Sequence, residues 1–281
     1  MSTLFIIATP IGNLGDLSPR AAETLRASDR ILAEDTRRTR VLAAHAGASA
    51  PLVSLHEHNE AERVRRVLGW LDAGETLALV SDAGTPLVSD PGERLVDAVA
   101  SAGHEVIPIP GPSAVLAALV GSGLPGDRFT FLGFPERKGP ERVFLLERLA
   151  ASRESVVLFE SPQRLVRLLE DLAGTCGGDR RVAVARELTK LHEEWFRGTL
   201  SEAAAYYGQH PPRGEVSLVV GPARAEAPDT ADLEAEARSL ARALLEGGEK
   251  PSAAAREVAR RLALPRNTAY RIVQEAARNQ P

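Results

Sequence analysis

The chain has 281 residues, 44% hydrophobic and 26% charged, with a formal net charge of −4. That is the composition of a soluble globular chain long enough for two domains and a small appendage. No apolar run approaches a membrane span and residues 4–8 are too short for a signal peptide, so the cytoplasm is the default location. Cys176 is the only cysteine, which excludes an internal disulfide and a thiolate metal cluster.

Charge is unevenly placed. Residues 238–281 carry nine basic and four acidic side chains, net +5, leaving −9 on residues 1–237. A basic tail on an acidic body fits a polyanionic partner met by the tail. It equally fits a solvated, Arg-rich helical face.

In chain order, residues 4–9 (LFIIAT) read as a buried strand that ends in the loop PIGNLGD (10–16). Ser18 and Pro19 then open a helix as N-cap and first helical residue. A second short strand, 31–33, ends in EDTRRTR (34–40). Those charges sit at a strand end, where they read as a site or as complements to a helix N-terminus. Residues 51–55 form a third strand, followed by HEHN (56–59). His56 and His58 stand at i, i+2, but no further ligand lies at metal-site spacing, so a polar loop facing substrate is expected and no metal. Residues 60–71 are an amphipathic helix with Val64, Val67, Leu68 and Leu71 on one face.

The stretch 77–92, LALVSDAGTPLVSDPG, is the centre of the pattern. An apolar strand stops at a loop in which Gly84 and Gly92 permit positive φ or close backbone approach, while Pro86 and Pro91 stiffen it. Ligands of open α/β sheets sit outside such strand ends. A helix over 93–102, a strand over 105–109 and PGPSA (110–114) follow. Ser113 caps an apolar helix over 115–120, whose N-terminus presents free N–H groups. Alternation of strand and helix predicts a mostly parallel sheet.

A second half starts after 121–126. It has strands at 129–132, 155–159, 181–185, 195–198 and 215–220, and helices at 141–150, 165–172 and after 201. The domains are therefore 1–121 and 122–223, with a linker at 224–232 and a basic helical domain at 233–281. In that last domain Ser252 is read as the cap of one helix and 268–278 as another. The short turn between them suggests a helix-turn-helix.

Seven loops occur in order: TPIGNLGD (9–16), AEDTRRT (33–39), HEHN (56–59), SDAGTP (81–86), IPGPSA (109–114), FESP (159–162) and ARELTK (185–190). Together they resemble the ribosomal RNA small subunit methyltransferase I family of the tetrapyrrole-methylase superfamily. The resemblance runs from Leu4 to about Gly221. It implies two α/β/α domains of class III methyltransferase type with S-adenosylmethionine in the cleft between them, usually in a homodimer. It also implies methylation of the 2′-oxygen of a cytidine in 16S ribosomal RNA of the small ribosomal subunit. Cofactor contacts implied are Pro10, Gly12, Gly84, Thr85, Pro86, Val88, Ser113 and Ala114, with Phe159, Glu160, Leu188 and Val216 on the opposing wall. Where tetrapyrrole methylases have an Asp before the proline this chain has Thr85, which argues against those branches. A rival of another class is a nucleic-acid-binding regulator with a non-catalytic ligand-sensing domain.

A 2′-hydroxyl is a weak nucleophile, so a positioned base should help its attack. Candidates at strand ends are Glu34, Asp35, Glu160, Glu187 and Lys190. Lys190 is one of three lysines among 34 basic residues, and unlike Arg it can give up its proton. Arg37, Arg38 and Arg186 are read as phosphate grips, with His56, His58, Asn59, Arg261 and Arg266 as further substrate contacts.

Overall fold

The computed structural model describes residues 2–56, 60–223, 230–262 and 264–278. The chain divides into two compact units, Met1–Ala223 and Arg224–Pro281.

The first unit begins with five strands: β1 (Thr3–Ile7), β2 (Arg30–Ala33), β3 (Leu52–Ser54), β4 (Leu77–Val80) and β5 (Glu105–Ile109). They form one parallel sheet in the order β3-β2-β4-β1-β5. Parallel neighbours need crossovers, and the helices supply them. Helices α1 (Pro19–Ala27) and α2 (Thr36–Ala46) place Leu25, Leu42 and Ala43 on one face of the sheet. Helices α3 (Glu60–Asp72) and α4 (Glu93–Ser101) place Val67, Leu71, Leu95 and Val99 on the other. The α1 start is as read from the sequence: Pro19 is the first helical residue, and Ser18 Oγ accepts from the Ala21 N–H at 3.1 Å. The connection leaving β2 runs to the sheet edge at β3, and the one leaving β4 runs the opposite way to β5. A crevice therefore opens at the carboxyl ends of β2 and β4.

Helix α5 (Ala114–Ser122) joins this sheet to a second one, built from β6 (Phe129–Phe131), β7 (Ser155–Glu160), β8 (Arg181–Arg186), β9 (Glu194–Thr199) and β10 (Val216–Val220). Its order is β6-β7-β10-β8-β9. Only β6 and β7 are parallel; the remaining pairs are antiparallel. Val115, Ala118 and Leu119 of α5 pack on Val157, Ala185 and Val219 of one face. Helices α6 (Pro140–Ala151), α7 (Pro162–Cys176) and α8 (Leu200–Gln209) cover the other face through Leu149, Leu169, Leu172, Leu200 and Tyr207. Ile11, from the loop after β1, joins the α5 cluster, so apolar packing unites the two sheets.

The second unit is a three-helix bundle: α9 (Thr230–Glu246), α10 (Pro251–Arg261) and α11 (Arg266–Arg278). Its core is largely alanine, Ala237, Ala241, Ala254, Ala255 and Ala269, with Val258, Ile272 and Val273. Three sequence expectations need correction here. Ser252 is not the α10 cap: Lys250 holds that position without a side-chain bond, because Pro251 takes the first helical place. Helix α11 begins at Arg266 rather than 268, and α9 begins at Thr230, inside the expected linker. Residues 224–229 of that linker lie outside the described residues.

Candidate active site

The loops after β1, β4 and β5 are tied to one another before they meet anything else. Thr9 N–H donates to the Gly84 carbonyl at 2.8 Å, and Gly84 N–H returns to the Thr9 carbonyl at 3.1 Å. Thr85 Oγ1 donates to the Pro112 carbonyl at 3.3 Å. Gly84 sits at φ +82°, and a Cβ there would lie 3.3 Å from Ile11 Cγ2, so left-handed backbone and tight packing both require glycine.

These loops face β7, β10 and their flanking segments across a cleft of about 480 Å³. One wall holds Ile11, Gly84, Thr85, Val88, Ser113 and Ala114; the other holds Phe134, Phe159, Glu160, Val216 and Ser217. Phe134, 58% exposed, packs on Phe159 with ring centroids 5.5 Å apart. The aromatic pair, its rings inclined at 58°, gives the cleft an apolar wall. Glu34, Arg38, Asp82 and Asp90 line the same cleft.

That carboxylate group has unusual electrostatics. Burial pushes the Glu34 carboxyl up, and the charge of Asp82 adds to it. Asp90 is pushed up to about 6, first by burial and then by Glu34 and Asp82, against an opposing Ser81 hydroxyl bond. Arg38 Nη1 stands 3.3 Å from Asp82 Oδ2. Asp90 is thus a carboxylate able to accept a proton near pH 6, and Glu34 beside it is shifted in the same direction. A second concavity, containing His56, shares Glu34, Ser89 and Asp90 with the main cleft.

Backbone strain collects in the same two places. Among the described residues, the non-glycine positions at positive φ are Leu87 (+72°) and Ser89 (+66°) in the loop after β4, and Glu187 (+53°) and Thr189 (+66°) in the loop after β8. Each costs of order 1–3 kcal/mol, and such strain clusters at sites. In the second loop Lys190 Nζ lies 2.8 Å from Glu187 Oε1 and 3.2 Å from Glu215 Oε2, and Glu215 lines the cleft. Burial pulls the ammonium down, but the bonds and charges of both glutamates outweigh it and raise its pKa. The hydrogen bond from Lys190 in turn lowers Glu187. Lys190 is therefore held as a paired cation between Glu187 and Glu215, next to the cleft-lining Glu215. Gly12 leaves room for its side chain: a Cβ there would stand 2.4 Å from Lys190 Cγ.

Of the cofactor contacts expected from the sequence, Gly84, Thr85, Val88, Ser113, Ala114, Phe159, Glu160 and Val216 line the cleft, whereas Pro10, Gly12, Pro86 and Leu188 do not. Leu188 is buried in the α5 cluster beside Ile11, which takes the wall position instead. Asp35 is spent as the N-cap of α2, where Arg37 bonds hold its carboxyl down at about 2. Arg37 pairs with Asp35 at 2.7 Å. Arg186 is braced by Glu194 and the Arg213 carbonyl and does not line the cleft. It ties β8 to β9 through Glu194 and lines a separate concavity with Tyr206, His210 and Arg213. Arg38 does reach the cleft. Arg261 pairs with Glu257 at 2.7 Å, and Arg266 is exposed at the start of α11. His58 and Asn59 lie outside the described residues. Sequence reasoning missed Asp82, Asp90, Phe134 and Glu215. Only the first two carried a signal, as acids in the loop after β4. Among the described residues no group of His, Cys, Asp and Glu has metal-holding geometry.

Two parallel-to-mixed α/β sheets enclosing a cleft at their strand ends match a known class: residues 3–204 fit the family described as Tetrapyrrole (Corrin/Porphyrin) Methylases. In fold the chain resembles uroporphyrin-III C-methyl transferase from Thermus thermophilus, solved with S-adenosyl homocysteine, at a TM-score of 0.57 and 20% identity over 79% of this chain and 97% of that one. The chain belongs, within that class, to the ribosomal RNA small subunit methyltransferase I family. It is 46% identical over 275 residues to the family member of Synechocystis, covering 98% of both chains. It is 47% identical over 220 residues to the member of Thermotoga maritima, covering 78% of this chain and 98% of that relative.

Proposed function

We propose that the chain transfers a methyl group from S-adenosylmethionine to the 2′-oxygen of a cytidine in 16S ribosomal RNA of the small ribosomal subunit. The observation that carries this reading is a 98%-of-length match to a family of that name on a chain with a cleft of the right chemistry. When bound, the donor supplies an electrophilic methyl on a sulfonium.

The cleft suits that group. Backbone of Thr85, Ser113 and Ala114 offers hydrogen bonds, Phe134 and Phe159 offer an aromatic wall for a purine, and carboxylates offset the positive charge. Ile11 and Val216 close the apolar lining. The residues that act on the acceptor are the perturbed carboxylates: Asp90, with Glu34 beside it, takes the hydroxyl proton as oxygen attacks. Lys190 stays protonated between Glu187 and Glu215 and meets negative charge at the rim. Arg38 places a further cation over the cleft.

The basic helical unit is read as an accessory grip on RNA through phosphates. Two copies of the chain are expected to pair. Leu116 and Val120, one turn apart on α5, are 51% and 81% exposed, which supports an apolar contact face. No described helix is long and apolar enough to cross a membrane; the cytoplasmic site of action is proposed from the ribosomal substrate. Incubation with methyl-labelled donor and, in parallel, naked 16S RNA, unmodified small subunits and uroporphyrinogen tests the reading. Label in RNA supports it; label only in the tetrapyrrole overturns it.

A further inference from the structure

Beside the cleft, separated from it by Ser161, which lines both, lies a pocket of about 380 Å³ walled by Arg137, Arg142, Gln163, Arg164 and Arg167. Four guanidinium groups around one concavity are repulsive unless something negative answers them. Two are answered within the fold. Buried Arg142 pairs with Asp171 at 2.6 Å and donates to the Glu136 carbonyl at 2.8 Å. Arg164 stands 3.1 Å from Glu160 and donates to the Pro135 carbonyl. These bonds fix the pocket's frame.

Arg137 and Arg167 have no ion pair among the described residues, and both are exposed. They project from different elements, the loop before α6 and the second turn of α7, toward one space.

We infer that this pocket grips a phosphodiester of the substrate RNA, one next to the nucleotide whose ribose enters the cleft. The inference rests on the reading that RNA is the acceptor. Two free guanidiniums match the planar, bidentate demands of a phosphate, and their place beside the cleft positions the strand without reading its bases. The comparison with Thermotoga maritima supports a grip within the first unit. That relative is covered over 98% of its length by 78% of this chain, so it is shorter than this chain by roughly the length of the helical unit.

The test compares the full-length wild type with Arg137→Gln/Arg167→Gln and Arg137→Lys/Arg167→Lys, on unmodified small subunits and on 16S RNA. The Gln pair should raise KM for the RNA substrate by roughly tenfold. It should also reduce the slope of log affinity against log salt by about 1. Donor affinity should stay within about twofold, and the Lys pair should recover part of the loss because its charge remains. An unchanged KM and salt slope in the Gln pair overturns the pocket. So does an equal loss of donor binding, which makes the arginines supports of the fold. A wild type that methylates no RNA overturns the underlying reading, and the pocket with it, before any variant is compared.

Discussion

Asp90→Asn should stabilise the protein at alkaline pH and disable it at the same time. Burial, with Glu34 and Asp82 nearby, pushes the Asp90 carboxyl from 3.8 to about 6. Fully converted, that displacement is at most ~3 kcal/mol; the group is half-buried at the cleft, so solvent screening leaves about 1 kcal/mol. A carboxyl raised on folding contributes stability fully present below about pH 4, and loses it as pH climbs through about 6. Above pH 6 the wild type therefore holds an unfavourable charge that Asn removes. Melting at pH 8 should rise by roughly 2–4 °C in the variant, with no difference at pH 4. If Asp90 is also the base, kcat of the wild type should climb as pH passes through about 6, and the variant should lose on the order of 10²–10⁴ in kcat. A variant melting at or below wild type at pH 8 refutes the electrostatic argument; unaltered kcat refutes the assignment of the base.

Gly84→Ala should weaken donor binding at least several-fold by calorimetry, because its φ of +82° costs an L-residue about 1–2 kcal/mol and the added methyl presses on Ile11. Lys190→Ala should lower kcat about tenfold or more on RNA with donor affinity unchanged, as expected for a rim cation; the same kcat as wild type would remove Lys190 from the chemistry. Deleting residues 224–281 should weaken RNA binding and flatten its salt dependence while leaving donor affinity intact, since the deleted helices form their own core. Full RNA affinity after that deletion would withdraw the role given to the helical unit.

The parallel sheet was legible because its strands are short apolar runs ending in polar punctuation, and several helices carry a capping side chain beside them, as at Ser18 and Ser113. The second sheet was less so. Only Glu187–Glu193 separate β8 from β9, too few residues for a parallel crossover, so the two pair antiparallel. The insertion of β10 between β7 and β8 depends on contacts far apart in sequence, which no local pattern records. The site divides along the same line. Gly84, Thr85 and Ser113 announce themselves through backbone chemistry, which is local. Asp90, Phe134 and Glu215 look like ordinary loop residues until the second sheet folds over them. Arg186 looked like a free cation because its partner, Glu194, sits on the neighbouring strand.

The central claim is that the acceptor is a ribose oxygen, and the bond formed can be read directly. A 2′-O-methyl group removes the nucleophile that alkali uses to cut RNA. Small-subunit RNA labelled by the protein and digested with alkali should therefore release its label in one alkali-resistant dinucleotide beginning with cytidine. Release of the label in mononucleotides would place the methyl on a base and contradict the account.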